Sequence, residues 1–159
     1  MPEILIINTG GTFNKVYNPL TGTLDIQHTS LKKISQKWLC HLEIIDIIDK
    51  DSLDFTDQDR KILLTTIQQA KQKHIIIIHG TDTIDISAHY IAGYKINKSI
   101  IFTGAMVPYS IDPVEATANL ASAYGYSMAQ KENGVYIAMH GRIDSYTKVK
   151  KDRQKGLFI

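Results

Sequence analysis

Four short stretches of this 159-residue chain gather the groups that do polar chemistry. They are Thr9-Gly10-Gly11-Thr12, Asp51-Ser52, Gly80-Thr81-Asp82-Thr83 and Thr103-Gly104-Ala105. All four present hydroxyls, and two also offer an Asp. The adjacent glycines let backbone N–H groups come close to a ligand. Any one of these stretches alone is an ordinary strand end or turn, because Thr, Gly and Asp cap and terminate elements routinely. Their coincidence is more informative. Hydroxyls and carboxylates without a matching Cys/His set suit nucleophilic catalysis or recognition of a small polar molecule.

Several other chemistries do not fit. Thr9-Gly10-Gly11-Thr12 lacks the spacing of G-x-G-x-x-G, and no helical pattern opens directly after it, which argues against dinucleotide binding. The chain contains neither G-x-x-x-x-G-K-[ST] nor a G-x-S-x-G elbow. The six His are scattered singly, and His79 and His89 lack metal-ligand spacing, so no metal site is expected.

The elements that must position these groups alternate in period. Glu3–Asn8, Glu43–Asp49, His74–His79, Lys98–Thr103 and Gly134–His140 are short and rich in Ile or Val. Several are near-continuous apolar runs, most clearly Ile75-Ile76-Ile77-Ile78, as in strands covered on both faces. Between them, Ser30–His41, Thr56–Lys73, Ile84–Tyr94 and Asp112–Gln130 carry helical patterns. In the second of these Thr56 can act as N-cap, with Asp57 and Asp59 in the first turn. This alternation predicts an α/β fold: an open, mostly parallel sheet with helices on both faces, a Rossmann-like three-layer sandwich. In such sheets ligands bind outside the carboxyl ends of the strands, where the four stretches fall. Phe13–Gln27 has no helical stripe and is expected to be a long binding loop or lid.

Composition bounds the class. With 43% hydrophobic and 21% charged residues the chain reads as one globular domain over residues 1–159. A lone Cys40 fits a reducing compartment, and the start of the sequence shows neither a signal peptide nor a membrane span, so a cytoplasmic location is expected. Arg142–Lys155 holds six Lys/Arg and two Asp, a local charge of +4 in a chain of net +2. No aromatic residues alternate with these charges and no nucleic-acid motif accompanies them, so a solvated segment is the expected reading. Neither a nucleic-acid nor a membrane partner is expected.

Thr9-Gly10-Gly11-Thr12-Phe13 together with His79-Gly80-Thr81-Asp82-Thr83 resembles the two signatures of the bacterial-type L-asparaginases. Further matches follow in order: Asp51-Ser52 with Asp54-Phe55-Thr56, then Thr103-Gly104-Ala105-Met106 with Pro108, Ser110 and Asp112, then Gly141-Arg142-Ile143 and Thr147-Lys148. The resemblance spans nearly the whole chain and implies the fold of that family's N-terminal, catalytic domain. It also implies an amidohydrolase that needs no cofactor and acts on the side-chain amide of L-asparagine or a similar small amide. Thr12 would be the nucleophile. Thr81, Asp82 and Lys148 would form a second constellation at the same substrate, with Tyr17 as the loop tyrosine that helps activate Thr12. Ser52 would hold the substrate α-carboxylate and Asp82 its α-amino group, with Gly11, Asp51, Gly80 and Ala105 also lining the substrate.

The sequence departs from the family at Leu53, where a polar residue is usual, and at Val107, where Arg is common. The family's second, smaller domain is also expected to be missing, and with it an acidic residue that completes the site of a neighbouring subunit. The resemblance further implies a homo-oligomer, dimer or tetramer. A second expectation stands beside the enzyme: a weak or inactive relative that binds amino-acid-like ligands without turnover.

Overall fold

The computed structural model describes residues 3–159. The first strand, β1 (Ile4–Gly10), is followed by a 3-10 turn at Thr12–Asn14 and a hairpin of β2 (Lys15–Asn18) and β3 (Thr23–Ile26). Then come α1 (Ser30–Lys37), β4 (Glu43–Lys50), a second 3-10 turn at Ser52–Asp54, and α2 (Asp57–Gln69). The chain continues through β5 (His74–Ile78), α3 (Ile84–Ala92), β6 (Ser99–Thr103), α4 (Pro113–Ala129), β7 (Gly134–Met139) and β8 (Arg142–Ser145). It closes on the short pair β9 (Lys151–Asp152) and β10 (Leu157–Phe158).

Six strands form one sheet in the order β4-β1-β5-β6-β7-β8. All neighbours are parallel except β7 and β8. The expected open, mostly parallel α/β sheet is therefore what the chain forms. Alternate residues of the strands face two cores. Leu5, Ile7, Ile75, Ile77, Ile100 and Phe102 pack under α2 and α3. Ile4, Ile6, Ile76, Ile78 and Ile101 pack under α1 and α4. Because both faces are buried, the strands need apolar residues at successive positions, which the Ile runs supply.

Two features of the topology place the site. After β1 the chain goes to β4 on one side, and β4 then crosses to β5 on the other, so the direction of winding reverses between β1 and β5. Ligand sites fall at such a reversal, and here it sets the turns Gly10-Gly11-Thr12 and His79-Gly80-Thr81 side by side. Second, β5→β6 and β6→β7 advance in the same direction, yet α3 covers one face and α4 the other. The α4 crossover therefore has the opposite hand to the other three, an exception to the usual uniform handedness. Its consequence is local. The first turn of α4 lies under the β6 exit, where Glu115 accepts hydrogen bonds from the backbone N–H groups of Met106 and Val107.

The structure corrects three expectations of local form. Phe13–Gln27 is largely the β2–β3 hairpin, with Lys15 opposite Ile26 and Asn18 opposite Thr23. Ser110 Oγ donates to Lys15 O at 2.6 Å and pins it to the β6 exit loop. The first helix stops at Lys37, because Trp38 turns to extended backbone and packs on Tyr124 at 5.1 Å. Part of the basic segment is the edge strand β8, paired with β7.

Candidate active site

Close backbone contact brings the strand exits together. Gly11 has φ 75°, and a Cβ there would stand 2.6 Å from Gly80 Cα. Gly80 in turn lies against Ser52, whose Cβ and N would be 2.7 Å from an added Cβ. The turns carrying Thr12, Thr81 and Ser52 are thus in mutual contact, and only glycine permits it. The Thr12 turn is fixed from beneath by two buried amides. Asn8 Nδ2 donates to Asn14 Oδ1 at 2.8 Å, and Asn14 Nδ2 donates back to Asn8 Oδ1 at 2.9 Å.

The second constellation is an ion-paired cluster. Lys151 Nζ donates to Thr81 Oγ1 at 2.9 Å and to Asp82 Oδ1 at 2.8 Å. Thr81 is 7% exposed, and its hydroxyl hydrogen turns to Met106 Sδ at 3.4 Å. The hydrogen bond from Lys151, reinforced by its charge and that of Arg153, holds the Asp82 carboxyl below the ordinary carboxylate range. An ammonium on a hydroxyl oxygen favours the alkoxide, so Thr81 sits in surroundings that suit proton transfer.

Lys148 does not reach this cluster. Its side chain is 68% exposed and its ammonium faces Asp144 at 3.5 Å. The reason is the fold of the C-terminal segment: Lys151 stands in β9, which pairs with β10 and brings that lysine, not Lys148, back to Thr81.

The remaining expected site residues divide. Ser52 is 3% exposed and its Oγ accepts from Thr83 N–H at 3.1 Å, so its own hydroxyl hydrogen is what it can offer a ligand. Asp51 is committed to Lys15 at 3.0 Å, a pair that ties the β2–β3 hairpin to the Ser52 turn. The N–H of Gly11 is taken by Lys50 O at 3.0 Å, so Gly11 gives the site its close packing and not a free donor. Ala105 is buried in the α1/α4 core, so its side chain is not at the site. Tyr17 lies on β2, 59% exposed. Three of the four hydroxyl-bearing exits are also structural at one position each: Thr9 Oγ1 donates to Ile78 O, Thr83 Oγ1 to Ser52 O and Thr103 Oγ1 to Ala138 O, all at 2.7 Å. Leu53 is exposed, as are Val107, Ile111 and Val114 beyond β6.

Behind the Gly80 turn a buried relay holds its shape. His79 Nδ1 lies 2.7 Å from Gly80 O, and a carbonyl can only accept, so Nδ1 carries the proton. Nε2 then accepts from Ser87 Oγ at 2.8 Å, and that oxygen accepts from Arg60 Nε at 3.1 Å. Complete burial lowers the His79 pKa from 6.5 to about 4. With the folded value depressed, the unfolded chain takes up protons first as pH falls. The contribution of His79 is therefore fully present above pH 6.5 and is lost between there and about 4. Urea unfolding across that window is expected to show a loss of up to about 3 kcal/mol attributable to this group. The variant His79→Gln, less stable at neutral pH, should decline less steeply, and an equal slope would assign the effect elsewhere.

Sequence reasoning did not find Lys151, Arg153, Asn14 or Glu115. Lys148, Lys150 and Lys151 crowd one segment, and only the turn marked by Gly156 (φ 63°) hinted at a hairpin there. Among the described residues, no group of three or more His, Cys, Asp or Glu is arranged to hold a metal ion. No helix among them is long and apolar enough to cross a membrane.

Comparison with known proteins bears on the family and the fold. Residues 3–157 match the model of the asparaginase family's N-terminal domain. One component of the glutamyl-tRNA(Gln) amidotransferase of Archaeoglobus fulgidus is 26% identical over 148 residues, covering 89% of this chain and 35% of that protein. Probable L-asparaginase 4 of Schizosaccharomyces pombe is 21% identical over 159 residues, covering 91% of this chain and 45% of that protein. The chain thus spans less than half the length of these relatives. In fold it resembles the thermostable L-asparaginase of Thermococcus kodakarensis (TM-score 0.84, 23% identity, 98% of this chain and 50% of that one). It is similarly close to a probable cytoplasmic L-asparaginase of Campylobacter jejuni (TM-score 0.82, 24% identity, 99% of this chain and 52% of that one). Two glycine-bearing threonine turns in contact at the winding reversal, and a family match over residues 3–157, lead to one assignment: the chain belongs to the asparaginase family, matching its N-terminal domain.

Proposed function

We propose that this domain is an amidohydrolase that cleaves the side-chain amide of L-asparagine or a similar small amide through a threonine nucleophile. The observation that carries the reading is the Thr81–Lys151–Asp82 cluster, set against the Thr12 turn by the Gly11–Gly80 contact. A cation shared by a nearly buried hydroxyl and a carboxylate is more than a binding pocket for a neutral group requires, and it suits proton transfer. In this reading Thr12 Oγ bonds to the amide carbon and its proton passes to the nitrogen. The C–N bond breaks, ammonia leaves, and an ester of Thr12 remains. Water then adds to that ester, returns a proton to Thr12 and releases the acid. Lys151 and Thr81 handle the protons, and the hydroxyl of Ser52 orients the substrate's charged end. Lys151 takes the role that the family resemblance gave to Lys148.

The alternative, binding without turnover, draws support from one observation: Leu53, next to Ser52, is 71% exposed and offers no polar contact. An ammonia-release assay on a panel of small amides, at high concentration of the purified chain, separates the two readings. Release that disappears in Thr12→Ala is the expected result. No release from any amide, together with a thermal shift by the corresponding acids, would favour the binding module.

A further inference from the structure

Two cations already stand on the carboxylate of Asp82. Lys151 Nζ lies 2.8 Å from Oδ1, and Arg153 Nη1 lies 2.9 Å from the same oxygen. Arg153 Nη2 also donates to Asp82 O at 2.8 Å, so the guanidinium fork spans the side chain and backbone of one residue. Two further acids near the strand exits are ion-paired as well: Asp51 faces Lys15 at 3.0 Å and Asp59 faces Lys50 at 2.9 Å. A cleft of about 360 Å³ between α3 and the β9–β10 pair adjoins Thr81. Its wall carries Lys150, Lys151 and Arg153 against Asp82 and Asp85, an excess of one positive charge.

That balance decides which ligands fit. A substrate ammonium approaching Asp82 meets two like charges across a single carboxyl group, whereas a carboxylate meets an excess of donors. Resting on the amidohydrolase reading above, we propose that Arg153 is a specificity-determining residue that turns the site toward small amides bearing a carboxylate and no ammonium. These are the monoamides of dicarboxylic acids. Asp82 then serves to hold Lys151 and Arg153, and it does not receive the α-amino group that the family resemblance assigns to it. Arg153 is 63% exposed, so replacing it leaves the core untouched.

Two ligand pairs that differ only in the ammonium group test this. Succinamate and L-asparagine are compared as substrates, and succinate and L-aspartate as ligands by calorimetry, for the parent chain, Arg153→Gln and Arg153→Lys. The parent is expected to favour succinamate in kcat/KM, and succinate in Kd, by about tenfold. Arg153→Gln should shift both ratios toward the amino acid by about tenfold, and Arg153→Lys should keep most of the preference. A parent that prefers the amino acids, or ratios that Arg153→Gln leaves within about twofold, would overturn the proposal. Selective binding of succinate without ammonia release from either amide would support the role of Arg153 while refuting the hydrolase reading. Absence of both release and binding would overturn both.

Discussion

Replacing Lys151 by Met is expected to lower the rate of ammonia release by about two to four powers of ten, the usual contribution of a positioned proton-transfer group. The same change at Lys148 should leave the rate within about twofold. The contrast follows from where the two side chains lie. Lys151 is 14% exposed and bonded to Thr81 Oγ1 and Asp82 Oδ1, while Lys148 is 68% exposed on an i,i+4 pair with Asp144. Lys151→Met does not leave an unpaired carboxylate, because Arg153 remains on Asp82 at 2.9 Å. Lost rate is therefore expected with little change in unfolding free energy, and circular dichroism with urea titration checks that half. The loss should fall mainly on kcat, since Lys151 bonds the Thr81 hydroxyl that handles the proton in this reading. An inactive Lys148→Met beside an active Lys151→Met would show that the C-terminal segment is placed differently in solution.

The placement of these lysines marks the limit of what a sequence carries. The sheet was legible because strands buried on both faces must be apolar at every position, as Ile75–Ile78 are. So was the place of the site, because Gly10-Gly11-Thr12 and His79-Gly80-Thr81 each follow such a run. Choosing among Lys148, Lys150 and Lys151 needed the path of a two-residue strand pair, and so short a pair leaves no periodicity to read. The β2–β3 hairpin is a different case. Lys15–Asn18 and Thr23–Ile26 pair residue for residue across Pro19–Gly22, with Gly22 at φ 69°, so a turn signal was present. Its half-exposed strands offered no apolar run beside it. Thr9 and Thr103 mark a further limit. Residue type alone does not separate a hydroxyl that bonds a neighbouring strand's carbonyl from one that faces a ligand, and Thr9 and Thr12 stand only three residues apart in the same motif.

Gly80→Ala is expected to damage both stability and turnover, and its cause is space alone. The φ of Gly80 lies outside the left-handed region, so alanine can adopt the backbone conformation. The added methyl would instead stand 2.7 Å from the Cβ and backbone N of Ser52. Ser52 is held from several sides. Thr83 N–H donates to its Oγ at 3.1 Å, Thr83 Oγ1 donates to its carbonyl at 2.7 Å, and Phe55 N–H donates to the same carbonyl at 3.2 Å. With no flexible end to move, the Ser52 turn and the Gly80 turn must separate, at a cost of about 1–3 kcal/mol for overpacking. The same displacement moves Thr81 relative to the Thr12 turn, because Gly80 also touches Gly11. A misplacement of about 1 Å is enough to reduce turnover about a hundredfold. Gly125→Ala is the matched control. It lies inside α4 with nothing within 4 Å of the new methyl, and it should raise stability by about 0.5–1 kcal/mol while leaving the rate unchanged. If Gly80→Ala keeps full activity, the three turns are not locked together as described. If it loses activity while unfolding at the parent's urea midpoint, the contact acts on geometry without bearing on stability.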